Sequence, residues 1–138
     1  MKDILLVLIF SVFSLKSYCQ SDSTILDLLC NEWKQYKVTG GHSKDENKIN
    51  PNTIVFNKDG TWDEIENKKV VMRGGWNYSA ERKILFMDIY HDHDDGNSGY
   101  VHELKLIKLS KKLLIVRPAN PSASKIKIYS KPILNLNK

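Results

Sequence analysis

Apolar and polar residues alternate with a period of two over much of the chain, which is the pattern of half-buried β-strands. The clearest stretch is residues 53–76, where two polar turn signals separate three short apolar runs. The first turn contains Asp59-Gly60, and glycine accepts the positive φ that tight hairpin turns require. Gly74 and Gly75 interrupt the third run and predict a bulge or tight bend. These residues therefore predict a three-stranded meander.

One short helix is expected ahead of the strands. Ile25, Leu28 and Leu29 recur at helical spacing within residues 24–31, and Ser23 is a suitable N-cap.

The remaining alternating runs complete a set of eight predicted strands. They cover residues 33–38, 53–56, 61–65, 70–76, 84–90, 100–109, 113–116 and 125–129. Short strands without intervening helices predict an all-β fold, and hairpin-length turns favour pairing of consecutive strands. We therefore predict an eight-stranded antiparallel up-and-down barrel, because closure removes both exposed sheet edges.

The first residues of the chain have the pattern of a signal peptide. Residues 4–13 are apolar apart from Ser11, and small residues at 17 and 19 suit a cleavage site before Gln20. About 20 apolar residues are needed to span a bilayer as a helix, so no membrane span is expected. We predict a signal peptide at residues 1–19 and one domain at 20–138, exported to the periplasm or secreted. A buried N-terminal helix is the alternative.

The two cysteines do not predict a disulfide or a lipid anchor. Lys16 and Tyr18 are poorly suited to a lipoprotein signal, so we do not expect an anchor at Cys19. Cleavage after Cys19 leaves Cys30 as the only thiol, which we interpret as a small buried apolar residue.

The chain of 138 residues carries a net charge of +5. Many lysines near the C-terminus alternate with apolar residues, as on the solvent face of a half-buried sheet. Nucleic-acid binding would favour basic residues clustered with aromatics, so we expect no nucleic-acid partner. Separately, we expect a monomer.

Three short motifs, in this order, resemble those of small bacterial lipocalin-like domains. Residues 29–33 (LCNEW) correspond to L-x-G-x-W, with Asn31 in place of glycine. Residues 56–61 (FNKDGT) and 74–76 (GGW) correspond to F-x-x-D-G-T and G-x-W. The resemblance assigns structural roles to four residues: Trp33, Gly60, Gly74 and Trp76.

The resemblance implies a barrel that holds a small hydrophobic ligand, with the loop of residues 40–52 lying over its mouth. It also implies that Trp33 closes the barrel floor and that Arg117 or Lys127 covers its indole by a cation–π contact. An eight-stranded barrel can hold one small ligand or be filled by side chains, so both alternatives remain open. The predicted inward residues are Ile54, Phe56, Trp62, Met72, Trp76, Tyr78, Phe86, Leu104, Leu106, Ile115, Ile126 and Ile128. Eight of them are the predicted ligand-lining residues: Phe56, Trp62, Met72, Trp76, Tyr78, Phe86, Leu104 and Leu106.

A polar loop at residues 91–95 (HDHDD) contains potential metal ligands. His91, His93 and Asp95 are weak candidates, to which the fold could add His42 or His102. Zinc sites usually draw ligands from separate elements, so we interpret this loop as a solvated turn and predict no metal or other cofactor.

No catalytic motif is present: the chain lacks G-x-S-x-G, C-x-x-C and H-E-x-x-H. Glu64, Asp88 and Glu103 lie in predicted strands, and one of them inside the barrel would be an acid–base candidate, but no pair is indicated. We therefore predict a protein that is not an enzyme.

Three functional hypotheses follow. The first is an exported lipocalin-like protein that binds or carries a small hydrophobic ligand. The second is a solid barrel that acts as an envelope or protein-interaction module. It would use an outward apolar patch formed by Val71, Leu85, Met87 and Ile89. The third is a divalent-metal-binding loop at residues 91–95.

Overall fold

The computed structural model describes residues 22–89 and 101–133. Helix α1 spans Asp22–Leu29 and is followed by strands and, before the last of them, a short 3₁₀ turn at Pro121–Ala123. The strands are β1 (Glu32–Thr39), β2 (Thr53–Phe56), β3 (Thr61–Glu66), β4 (Lys69–Ser79), β5 (Ile84–Asp88), β6 (Val101–Ser110), β7 (Leu113–Pro118) and β8 (Lys127–Pro132).

Each strand pairs antiparallel with its neighbour in sequence, and β8 pairs with β1 to close the barrel. The predicted all-β class, the strand order and the short helix are confirmed. Strand β8 begins later than predicted, at Lys127, which pairs with Thr39 at the end of β1. It also ends later, because its pairing with β1 continues as far as Pro132, opposite Trp33.

Helix α1 ends two residues earlier than predicted. The backbone carbonyl of Asn31 accepts the amide of Phe56 at 3.2 Å, and its side-chain oxygen accepts the amide of Glu32 at 3.1 Å. These bonds place Asn31 at the start of the sheet instead of in the helix. Ser23, the predicted N-cap, lies within α1.

Register shifts in the described strands occur between Gln35 and Lys37, between Glu64 and Ile65, and between Leu106 and Lys108. Gly74 and Gly75 pair with β3 without a register shift, so of the two alternatives predicted there, a bulge or a tight bend, the bulge is wrong. Such irregularities increase local twist and bend a strand, which helps a small sheet to close on itself.

Gly74 has a different role from the one predicted. It pairs with Trp62, and a Cβ atom at this position would overlap the carbonyl oxygen of Asp88. The indole nitrogen of Trp62 donates to that same carbonyl at 2.7 Å. The missing side chain thus allows three strands to approach closely.

The end of the barrel next to α1 is closed by packed side chains. Leu29 is 0% exposed and Trp33 is 2% exposed, and the Trp33 indole donates to the Leu29 carbonyl at 3.0 Å. Phe56 and Trp76 pack edge to face nearby, with ring centroids 5.4 Å apart. Trp33 therefore lies at the barrel floor, and the opposite end is the mouth.

Gly60 adopts φ +85° in the turn between β2 and β3, as expected for the Asp59-Gly60 signal. The described residues include no helix that is long and apolar enough to cross a membrane. The predicted signal peptide, with Cys19, lies outside the described residues.

Candidate ligand cavity

A cavity of about 350 Å³ lies inside the barrel. It extends from Trp33 at the floor to Asn50, which belongs to the loop between β1 and β2. Most of its wall is apolar: Trp33, Ile54, Phe56, Trp62, Met72, Leu85, Met87, Ile89, Leu104, Leu114, Val116 and Ile128. Its polar lining residues are Gln35, Asn50, Glu64, His102 and Ser130.

Strand register explains which side chains reach the cavity. Directly paired residues on antiparallel strands point to the same face of the sheet. Glu64 pairs with Ile54 on one side and with Met72 on the other. All three residues therefore point inward, across three consecutive strands near the mouth.

Only some of the residues predicted to point inward line the cavity. Phe56, Trp62, Met72 and Leu104 lie on the cavity wall, together with Ile54 and Ile128. Trp76, Tyr78 and Leu106 pack against the core instead and do not line the cavity. Ile126 is half-buried in the segment before β8 and does not line the cavity either.

The inward orientation predicted for Phe86 is wrong. Phe86 pairs with Asn77 and Glu103 on the outer face, and the Arg82 guanidinium lies over its ring at 5.4 Å from the centroid. Ile115 also points outward, since it alternates with the cavity-lining Leu114 and Val116.

Three residues predicted to form an outward apolar patch on a solid barrel instead point inward. Leu85, Met87 and Ile89 line the cavity. Of the four residues expected in that patch, only Val71 is exposed, at 50%. Residues 84–89 are apolar at five of six positions, so periodicity did not indicate which face was inward.

The predicted cation–π contact on Trp33 is also wrong. Arg117 donates to the Ser124 carbonyl at 3.0 Å, and Lys127 pairs with Thr39 near the mouth. Within residues 22–89 and 101–133, the cation–π contacts are Lys37 over Tyr129 and Arg82 over Phe86.

A hydrogen-bonded polar cluster joins the long loop to the cavity wall. Glu64 Oε1 accepts from Asn50 Nδ2 at 3.1 Å and from Asn52 Nδ2 at 2.7 Å. Gln35 Oε1 accepts the backbone amide of Asn50 at 3.0 Å. These contacts hold the C-terminal end of the loop against β1 and β3 at the mouth.

The three carboxylates considered in the strands have different locations. Glu64 lines the cavity, whereas Glu103 lies on the outer face, 3.8 Å from Arg82. Asp88 accepts the backbone amide of Gly75 at 2.5 Å and does not line the cavity. The described cavity wall thus contains one carboxylate, not a carboxylate pair.

The weak metal candidates His91, His93 and Asp95 lie outside the described residues. Within the described part of the chain, no three His, Cys, Asp or Glu side chains are grouped so that they could hold a metal ion. His102 lines the cavity, and His42 is exposed in the loop before β2.

Cys30 is half-buried beside the end of α1, and burial raises the pKa of its thiol. A raised pKa disfavours the thiolate form, which is the nucleophile. Cys30 is therefore less buried than the sequence predicted, and its raised pKa argues against a nucleophilic role.

Gln35 and Glu64 are not among the residues predicted to point inward, although both line the cavity. Alternation along β1 and β3 could have identified them, because each follows an inward tryptophan by two positions. Asn50 had no such signal, since loop residues have no fixed periodicity.

Comparison with known proteins gives no further information: no protein-family model, curated protein or solved structure shows a significant match to this chain.

Proposed function

We propose that this protein is an exported, lipocalin-like, non-catalytic protein that binds a small hydrophobic molecule inside its barrel. The observation that carries the proposal is the apolar cavity of about 350 Å³. Ligand pockets usually measure about 300–1,000 Å³ and combine apolar walls with a few polar groups. The export part of the proposal rests on the predicted signal peptide.

The volume favours a ligand of modest size. A dry apolar cavity of about 150 Å³ is known to accept benzene, so a cavity about twice as large can hold a longer aliphatic or a substituted aromatic molecule. Trp62 and Met72 supply polarizable wall surface, and methionine adapts its shape to different partners. Packed side chains at the floor support binding from the mouth.

The proposed function includes no chemical step. The described cavity wall has one carboxylate, Glu64, and one histidine, His102. Ser130 also lies on this wall, but no hydrogen bond joins it to His102 among the described residues. The hydrogen bonds made by Glu64 connect it to the loop, which supports a binding role for this group.

The test is titration of the mature protein with N-phenyl-1-naphthylamine, an apolar probe whose fluorescence rises in apolar surroundings. Leu104→Trp should fill part of the cavity and weaken probe binding by about tenfold or more, because the probe would then have to overpack the remaining space. Leu104→Met keeps the volume and should retain binding. Ile107→Trp, at a site 43% exposed, controls for the added indole.

Thermal melts of all three variants establish that they fold. Failure of the wild-type protein to take up the probe contradicts the proposal. Equal probe affinity in Leu104→Trp and wild type contradicts it as well, because the probe would then bind outside the barrel.

A further inference from the structure

The charge of the cavity differs from that of the whole chain. The chain has a net charge of +5, but no lysine or arginine lies on the described cavity wall. The ionisable side chains there are Glu64 and His102. With the histidine neutral, the formal charge on this wall is negative and comes from Glu64 alone.

Glu64 is oriented by neutral hydrogen-bond donors. Asn50 and Asn52 both donate to its Oε1 atom, and no ion pair within the described residues includes it. A carboxylate offers about four lone-pair sites on its two oxygens, so two amide donors leave acceptor capacity. The carboxylate is thus positioned at the cavity mouth without a cationic partner among the described side chains.

The apolar wall and the carboxylate together define an amphipathic site. Met72 is paired directly with Glu64, and Trp62 lies two residues before it on β3. A ligand with an apolar body against Trp62 and Leu104 would place its polar end near Glu64. The carboxylate can only accept hydrogen bonds, so that end must be a donor.

Among donors, a protonated amine fits best. A hydrogen bond between two charged groups is roughly twice as strong as a neutral one. A ligand carboxylate would be repelled by Glu64, because like charges held close in a partly dry site destabilise each other. No lysine or arginine on the described cavity wall offsets this repulsion. The wall therefore discriminates against anionic ligands such as fatty acids.

We propose that the cavity selects a small amphipathic amine, with its apolar body inside the barrel and its ammonium group paired with Glu64. This inference rests on the proposed function and adds to it the chemical class of the ligand. Glu64 acts as the specificity-determining residue. Its position depends on Asn50 and Asn52, which connect it to the loop.

The test compares three ligands with the same chain and different head groups: octylamine, octanol and octanoate. Isothermal titration calorimetry at neutral pH should rank their affinities in that order, with octylamine about tenfold tighter than octanol. This ranking in the wild-type protein needs no variant. Octanoate binding as tightly as octylamine, or more tightly, would overturn the inference.

A charge-removing variant gives an independent measurement. Glu64→Gln keeps an oxygen that can accept from Asn52 but removes the charge, so octylamine affinity should fall to that of octanol. Octanol affinity should change by less than about threefold. Glu103→Gln is the matched control, because it removes a carboxylate from the outer face. It should leave octylamine affinity unchanged.

Failure of the inference and failure of the proposed function give different results. If octanol binds to wild type and is lost in Leu104→Trp while Glu64→Gln leaves octylamine affinity unchanged, the cavity binds ligands but does not select amines. Equal losses of octylamine affinity in Glu64→Gln and Glu103→Gln also refute amine selection, since they indicate general surface charge. No binding of any of the three ligands overturns amine selection, and it overturns the proposed function as well if the wild-type protein also fails to take up N-phenyl-1-naphthylamine.

Discussion

Replacing Gly74 by alanine tests the close approach of three strands described above. Its added Cβ would overlap the carbonyl oxygen of Asp88 and would lie 2.5 Å from the indole nitrogen of Trp62. The first obstacle is backbone, so no side-chain rotation can relieve it. The backbones of β4 and β5 must therefore separate locally, which also weakens or breaks the hydrogen bond from Trp62 to Asp88.

The expected cost combines two effects. Overpacking a well-packed site typically costs about 1–3 kcal/mol. Loss of the bond between the Trp62 indole and the Asp88 carbonyl, now 2.7 Å long, adds about 1 kcal/mol. We therefore expect Gly74→Ala to lower the free energy of unfolding by about 2–4 kcal/mol. For a domain of this size, that corresponds to a fall in Tm of roughly 10 °C or more.

Urea denaturation followed by tryptophan fluorescence measures this change. Gly60→Ala is the control, because Gly60 has φ +85° but only one neighbouring atom near a built Cβ, at 3.8 Å. Its free energy of unfolding should fall by only about 1–2 kcal/mol, the cost of placing alanine in the left-handed conformation. A loss below about 1 kcal/mol for Gly74→Ala would refute the predicted steric conflict.

Two further predictions concern the β3–β4 region. Asn67 and Lys68 form its two-residue turn with φ of 49° and 66°. Glycine adopts positive φ readily, so Lys68→Gly should raise the free energy of unfolding by about 0.5–1 kcal/mol in urea melts. Lys69→Gly, within strand β4, is the control and should lower it. A hydrogen bond from Arg73 holds the pKa of Asp63 below its ordinary value. The ionised Asp63 side chain therefore stabilises the folded protein at pH values above the ordinary carboxyl pKa. This stabilisation is lost as the pH falls through the lower pKa that Asp63 has in the folded state. Asp63→Asn should therefore have a lower Tm than wild type at neutral pH, and the difference should shrink below about pH 4; a constant difference would contradict the assignment.

The candidate site was only partly predictable from residue patterns. Alternation placed Phe56 and Trp62 on the correct face because polar residues flank Trp62 at 61 and 63 and follow Phe56 at 57. The apolar run in β5 has no such contrast, and Phe86 was consequently assigned to the wrong face. Asn50 was missed because a loop has no repeating geometry from which its contact with Glu64 follows.

The sequence by itself determined local conformation: alternating residues specify strands, and the Asp59-Gly60 turn allows consecutive strands to pair. Tertiary structure decided the orientation of β5, the location of bulges and the contact between Asn52 and Glu64. These features depend on how strands and loops pack together in the folded barrel, which brings into contact residues that are not neighbours in the chain. Local propensity contains no information about such contacts, because their geometry is set by all eight strands at once.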